Sequence, residues 1–145
     1  MPIRGTYCLC ITISEPRKIQ IGRLGKIKFD SGKYIYVGSA LNSLVPRLLR
    51  HIKTSIGTHR VRHWHIDYFL AESVATINSI YIKESTDHLE CAIANIVKNH
   101  GSPIPNFGSS DCSCNSHLFK VEGCIFLEKS GLLEFDLGAV NDLLD

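Results

Sequence analysis

Residues 5–14, GTYCLCITIS, and residues 33–38, KYIYVG, decide the fold. Both are runs of β-branched, aromatic and other apolar residues bounded by turn formers, and both read as strands. Glu15-Pro16 ends the first. Between the two, RKIQIGRLGKIKF (17–29) alternates Ile19 and Ile21, then Ile27 and Phe29, with polar and basic residues around a glycine-bounded turn. This pattern predicts a hairpin with arms 18–22 and 25–29. Asp30-Ser31-Gly32 then turns the chain into the second strand.

Downstream, residues 42–54 are predicted helical, with Asn42 or Ser43 as N-cap and Pro46 in the first turn, where its missing N–H costs nothing. On a helical wheel Leu44, Val45, Leu48, Leu49 and Ile52 share one arc and Arg47, Arg50 and His51 another, giving a core face and a cationic face. VRHWHIDYFLAE (61–72) reads as a second helix, although the period of its histidines also fits a strand. Residues 76–82 read as a strand. Over 86–99 the positions Leu89, Ala92, Ile93, Ile96 and Val97 keep helical spacing, and His100-Gly101 stops the helix. A Gly/Ser/Pro-rich loop is expected over 102–116, short strands over 117–121 and 124–127, and a helix over 138–144. The fold class is therefore α+β (α/β): a single domain over 1–145 with a small central antiparallel sheet of about three strands, an inserted hairpin and flanking helices. Its core spans about 5–100, and 101–145 form a loop and C-terminal extension.

A chain of 145 residues with 44% hydrophobic and 21% charged content can bury a proper core. No apolar run approaches the roughly 18 to 20 residues of a membrane span, and Met1-Pro2-Ile3-Arg4 lacks the apolar stretch of a secretory signal. A cytoplasmic protein with no membrane partner is expected. In that setting the six cysteines, Cys8, Cys10, Cys91, Cys112, Cys114 and Cys124, are expected to be reduced and mostly buried. Cys8 and Cys10, two apart on a strand, share a face.

The formal net charge of +2 conceals a strong polarity. Residues 1–62 hold 12 Lys and Arg against 2 Asp and Glu, and residues 63–145 hold 4 against 12. The basic half is a candidate surface for a polyanion.

Gly5-Thr6-Tyr7 and Tyr36-Val37-Gly38 on the two deciding strands resemble the paired tripeptides of the GIY-YIG nucleases. The second leads through Ser39-Ala40 into a helix bearing Arg47 and, one turn later, His51, and a later helix carries Glu90. More closely, the chain is similar to a compact, mainly archaeal group of that superfamily long catalogued as a domain of unknown function. Tyr36-Val37-Gly38-Ser39-Ala40-Leu41, His63-Trp64-His65-Ile66-Asp67-Tyr68, and Phe107 to Cys114 with Ser116-His117-Leu118 carry that similarity, over about residues 5–120. Two features depart from better-studied repair nucleases of the superfamily: Ser39 stands where a lysine is common, and the insertion between the tyrosine strands is longer.

The resemblance implies an endonuclease that hydrolyses phosphodiester bonds in nucleic acid, DNA foremost, with one Mg²⁺ or Mn²⁺ ion at Glu90. The chemistry asks for these residue types: a carboxylate for a hard cation, a planar guanidinium (Arg47) for developing phosphoryl charge, and Tyr7 or Tyr36 as water-orienting group or general base. His51 is the implied proton carrier. Arg17, Lys18, Arg23, Lys26 and Lys28 of the hairpin, with Arg50 and Lys53 of the basic helix, are the candidate phosphate-backbone contacts. A domain this small is compatible with a homodimer or a partner protein that supplies specificity.

Two further clusters are open to other readings. On a helix, His63 and Asp67 share a face but His65 points elsewhere, so the three do not converge on one ion. Cys112, Cys114 and His117 offer three soft ligands, with Cys91 or Cys124 as a distant fourth; structural zinc is the lesser reading beside a packed loop with buried thiols. The alternatives to a nuclease are a non-catalytic nucleic-acid-binding module and a zinc-stabilised interaction domain.

Overall fold

The structure, a computed structural model, describes residues 3–108, 116–136 and 138. Strand β1 (Gly5–Ile13) lies between β4 (Gly32–Ala40) and β5 (Ala75–Glu84), antiparallel to both. Being central, β1 is buried on both faces, which is why its sequence is a continuous apolar run and not an alternating one. The sheet has six strands where about three were expected, in the order β6-β7-β4-β1-β5-β8. The additions are β6 (Gly101–Pro103), β7 (Leu118–Val121) and β8 (Leu133–Phe135). Of these, β7 was expected, whereas β6 falls in the anticipated loop. The hairpin β2 (Arg17–Gln20) and β3 (Lys26–Phe29), joined through a 3₁₀ turn at Gly22–Leu24, forms a separate two-stranded sheet.

Period-two alternation sorts the sheet side chains into two cores. Tyr7, Leu9, Ile11, Ile13, Tyr34 and Tyr36 pack on one side against Ile19, Ile21 and Phe29 of the hairpin and against helices α1 (Leu44–Ser55) and α2 (His65–Leu70). Leu44 and Leu48 of α1 are fully buried there and Ile52 nearly so; each contributes about 1.5–3 kcal/mol by leaving water. On the other side Cys8, Cys10, Ile35 and Val37 pack with Ile93, Ala94 and Val97 of α3 (Glu90–Lys98) and Leu127 of α4 (Phe126–Lys129). The apolar run at 124–127, read as a strand, thus forms the turn into α4 and its first residues, because its exposed Ile125 and buried Leu127 follow a helix edge.

Helix α2 is shorter than the predicted 61–72. Its start is fixed at His65 by Asp67, whose Oδ2 accepts the backbone N–H groups of His63 and Trp64, both at 2.8 Å. Cys8 and Cys10 are buried free thiols on one face and Cys124 is a half-buried free thiol. Cys91, in contrast to the expectation of reduced thiols throughout, is disulfide-bonded. Of the helix anticipated over 138–144, all but residue 138 lies outside the described residues. Among the described residues no helix is long and apolar enough to cross a membrane.

Candidate active site

Strand register builds the centre of the site. Tyr7 on β1 stands opposite Gly38 on β4. A Cβ at Gly38 would fall 2.5 Å from Tyr7 Cζ and Oη, so the tyrosine ring lies across β4 only because that position has no side chain. Tyr36, two residues earlier on the same face, sets its ring 6.5 Å from that of Tyr7. Gly108, whose own Cβ would come within 3.3 Å of the Tyr36 ring, closes in from the loop.

Strand β7 leaves β4 at the Tyr36–Leu118 pair, after which the Val37 N–H donates to the His117 carbonyl. Beyond that point, among the described residues, this edge of β4 has no neighbouring strand. A cleft of about 170 Å³ opens here, lined by Tyr7, Tyr36, Ser39, Arg47, Glu90 and His117, with Gly38, Trp64 and Gly108 completing it. Glu90 belongs to the opposite layer, and it reaches the cleft because it opens α3, where its side chain is 28% exposed. His117 lies beside it, Nδ1 3.8 Å from Glu90 Oε2. Burial lowers the His117 pKa and the Glu90 charge acts against that.

Arg47 Nη1 donates to the Ser39 carbonyl at 3.0 Å, on the open edge of β4. Its guanidinium lies 4.5 Å over the Trp64 ring, and Arg50 lies 3.9 Å over the same ring. Arg50 is anchored in turn by Asp67, Nη2 to Oδ2 2.8 Å. Asp67 is fully buried, so Asp67, Arg50 and Trp64 form a scaffold behind Arg47, and Asp67 takes no part in a histidine-carboxylate metal cluster.

His51 is fully buried, not on a solvent-facing cationic surface as its helical phase implied. Its Nε2 lies 2.6 Å from Tyr7 Oη, and its Nδ1 has no hydrogen-bond partner. A buried N–H without an acceptor is rarer and costlier than a buried acceptor without a donor, which assigns the proton to Nε2. His51 Nε2–H then donates to Tyr7 Oη. The Arg47 guanidinium acts on the same hydroxyl and draws its pKa down. Burial pushes the Tyr7 and Tyr36 hydroxyls above the ordinary phenol range, and in Tyr7 the Arg47 charge opposes this. Both are phenols at neutral pH.

Burial, reinforced by Arg47 and Arg50, holds His51 down to about 3 from the usual 6.5. The unfolded chain takes up a proton here as pH falls through about 6.5 and the folded protein does not until about 3, so acid favours unfolding across that window. The unfolding free energy from urea titrations is expected to drop by roughly 3 kcal/mol more between pH 7 and pH 4 in the wild type than in His51→Gln. Equal acid sensitivity of the two proteins would show that His51 is not held neutral.

Of the residues predicted from sequence, Tyr7, Tyr36, Arg47 and Glu90 meet in the cleft and His51 supports it from beneath. Of the predicted backbone contacts, Lys18, Arg23, Lys26, Lys28 and Lys53 are exposed. Arg17 pairs with Glu15 at 2.9 Å and Glu72 at 3.4 Å, and Arg50 is held by Asp67. Trp64, Gly108 and His117 are cleft residues that sequence reasoning did not assign. Their only signal was membership of the two segments, 63–68 and 107–118, that carry the resemblance. Cys112 and Cys114 lie outside the described residues, and a disulfide-bonded Cys91 is no thiolate for zinc. Among the described residues no group of three or more His, Cys, Asp or Glu side chains could hold a metal ion.

Comparison with curated proteins and with solved structures returns no match. A family model described as "Domain of unknown function DUF123" matches residues 6–131, a span that takes in every residue of the cleft, and the chain belongs to that family.

Proposed function

We propose that the protein is a GIY-YIG-type endonuclease that hydrolyses phosphodiester bonds in nucleic acid, DNA foremost, in the cytoplasm. The observation that carries this reading is the convergence of two strand tyrosines, a helical guanidinium and a carboxylate from the opposite layer on one small cleft. Glu90 offers a hard, part-exposed oxygen ligand, which fits one Mg²⁺ or Mn²⁺ ion whose remaining positions go to water and phosphate. When bound, such an ion neutralises charge on the phosphoryl oxygens and lowers the pKa of neighbouring hydroxyls.

The remaining roles fall to this chain's own groups. Arg47 presents a guanidinium to the phosphoryl oxygens, with its plane held against Trp64. Tyr7 is the group placed to orient the attacking water; to act as its base it first gives up its own phenol proton to solvent, and the phenolate, stabilised by the His51 donor and the Arg47 charge, then takes the water's proton and returns to the phenol. Tyr36, 8% exposed, shares the cleft as a second hydroxyl. His51 acts through Tyr7 and is a positioning residue.

The hairpin supports a polyanion partner. Lys18 stands directly opposite Lys28, and Gln20 opposite Lys26, so its outer face sets like charges against each other while Ile19 and Phe29 turn inward. That arrangement is unfavourable in isolation and is relieved by a phosphate backbone. Specificity would come from a homodimer or partner protein. Incubation with labelled duplex, branched and single-stranded DNA and with RNA in Mn²⁺ is expected to give nicks that chelator abolishes. Salt-sensitive binding without a cut in any structure would reduce the protein to a nucleic-acid-binding module.

A further inference from the structure

A second and larger cavity, about 740 Å³, lies between the hairpin tip and α2, lined by Gly22, Arg23 and Leu24 of the tip and by His63, His65, Tyr68 and Asn106. Its volume is that of a ligand pocket. Two short segments form the partition between it and the cleft. Trp64 and Gly108 face the cleft, while their neighbours His63, His65 and Asn106 face the groove. The partition is pinned by the Gly108 N–H, which donates to His65 Nδ1 at 2.8 Å. With Nδ1 accepting, and with burial lowering its pKa, His65 carries its proton on Nε2 as a further donor. The hairpin tip is fitted to the opposite wall: Gly22, at φ 46°, sits where a Cβ would lie 3.3 Å from the Tyr68 ring. Aromatic faces, neutral donors and one exposed guanidinium at the rim suit a planar heterocycle joined to an anion.

We propose that this groove is a subsite for the nucleotide adjoining the scissile phosphate, its base turned out of the strand to stack among Tyr68, His63 and His65 while Arg23 meets its backbone. This rests on the phosphodiester-cleaving reading of the cleft. It gives the inserted hairpin a second task beyond general charge, because only the inserted tip completes the groove. Extruding one base costs stacking energy, which the new aromatic contacts offset.

The test is an abasic scan. A labelled strand of the substrate cut best, or a mixed-sequence single-stranded DNA if none is cut, is made with one abasic residue at each position in turn, and binding to the full chain carrying Glu90→Gln is read by fluorescence anisotropy. One position beside the cut is expected to weaken binding by about 10-fold when abasic. His63→Ala, at an exposed residue, and Tyr68→Leu should each weaken the unmodified strand similarly and erase most of the penalty at that position. A flat profile, or an undiminished abasic penalty in both variants, overturns the groove as a base subsite. A cut strand with a flat profile leaves the nuclease and removes the subsite. A bound strand with one sensitive position that is never cut removes the nuclease and with it the placement beside a scissile phosphate.

Discussion

Glu90→Gln is expected to lower Mn²⁺-dependent nicking by about 10³-fold, the scale of several kcal/mol of charge stabilisation, while nucleic-acid affinity stays within about 2-fold. Glu90 is the one carboxylate lining the cleft among the described residues. Asp67, the other nearby acid, is committed to Arg50 and to two backbone amides. Glutamine keeps the length and one oxygen of the side chain but removes the charge on which a hard cation depends. The cost to folding should be small, a few tenths of a kcal/mol from losing an acidic residue in the first turn of α3. Rates measured at saturating substrate, beside anisotropy in the presence of chelator, separate the two effects. Nicking at the wild-type rate would take Glu90 out of the mechanism, and a matching loss of affinity would make its role one of structure.

Gly38→Ala should be nearly as damaging at a residue that carries no functional group. The new methyl would need space that Tyr7 Cζ and Oη occupy at 2.5 Å, so the ring must shift. Tyr7 is 1% exposed and enclosed by Tyr36 and His51, and any displacement large enough to admit the methyl breaks the 2.6 Å contact with His51 Nε2. Overpacking of this kind costs about 1–3 kcal/mol of stability. Misplacing a reacting group by about 1 Å costs on the order of 10²-fold in rate. Tyr7→Phe is the comparison: it keeps the ring in place but leaves the buried His51 Nε2–H without its acceptor, so it should lose activity at a stability cost of about 1–3 kcal/mol, like that of Gly38→Ala, but with no displaced ring. Full activity in Gly38→Ala would mean that cross-strand packing is not what holds Tyr7 in position.

The parts of this architecture that were legible in the sequence are those in which local pattern and tertiary role coincide. The GTYCLCITIS run announced a strand, which the structure places at the centre of the sheet, and the Arg17–Phe29 alternation announced a hairpin with one apolar and one basic face. β6 and β8 have three residues each, GSP and LEF, too short to show a period; they are strands only because β7 and β5 offer edges to pair with. His51 illustrates a different failure. Helical phase put it with Arg47 and Arg50, yet it lies at the boundary of the two arcs, and a tyrosine from a strand 44 residues earlier decides that it is buried. The cleft's tyrosines, arginine and glutamate were readable because the resemblance to the GIY-YIG nucleases singled them out on strands and helices that local pattern had placed. His117 and Gly108 come from loop segments whose approach to β4 depends on backbone pairs such as His117 to Phe107, which no local pattern encodes.

The unaccompanied stretch of β4 has a meaning for the protein's behaviour in solution. An exposed edge carbonyl is a template on which a foreign chain can add a strand, and Arg47 occupies the one at Ser39 from within the molecule. The guanidinium proposed to meet the phosphate thereby also covers this edge against self-association. Shortening it would loosen that guard, so preparations of Arg47→Ala should be checked by light scattering before a fall in turnover is attributed to chemistry.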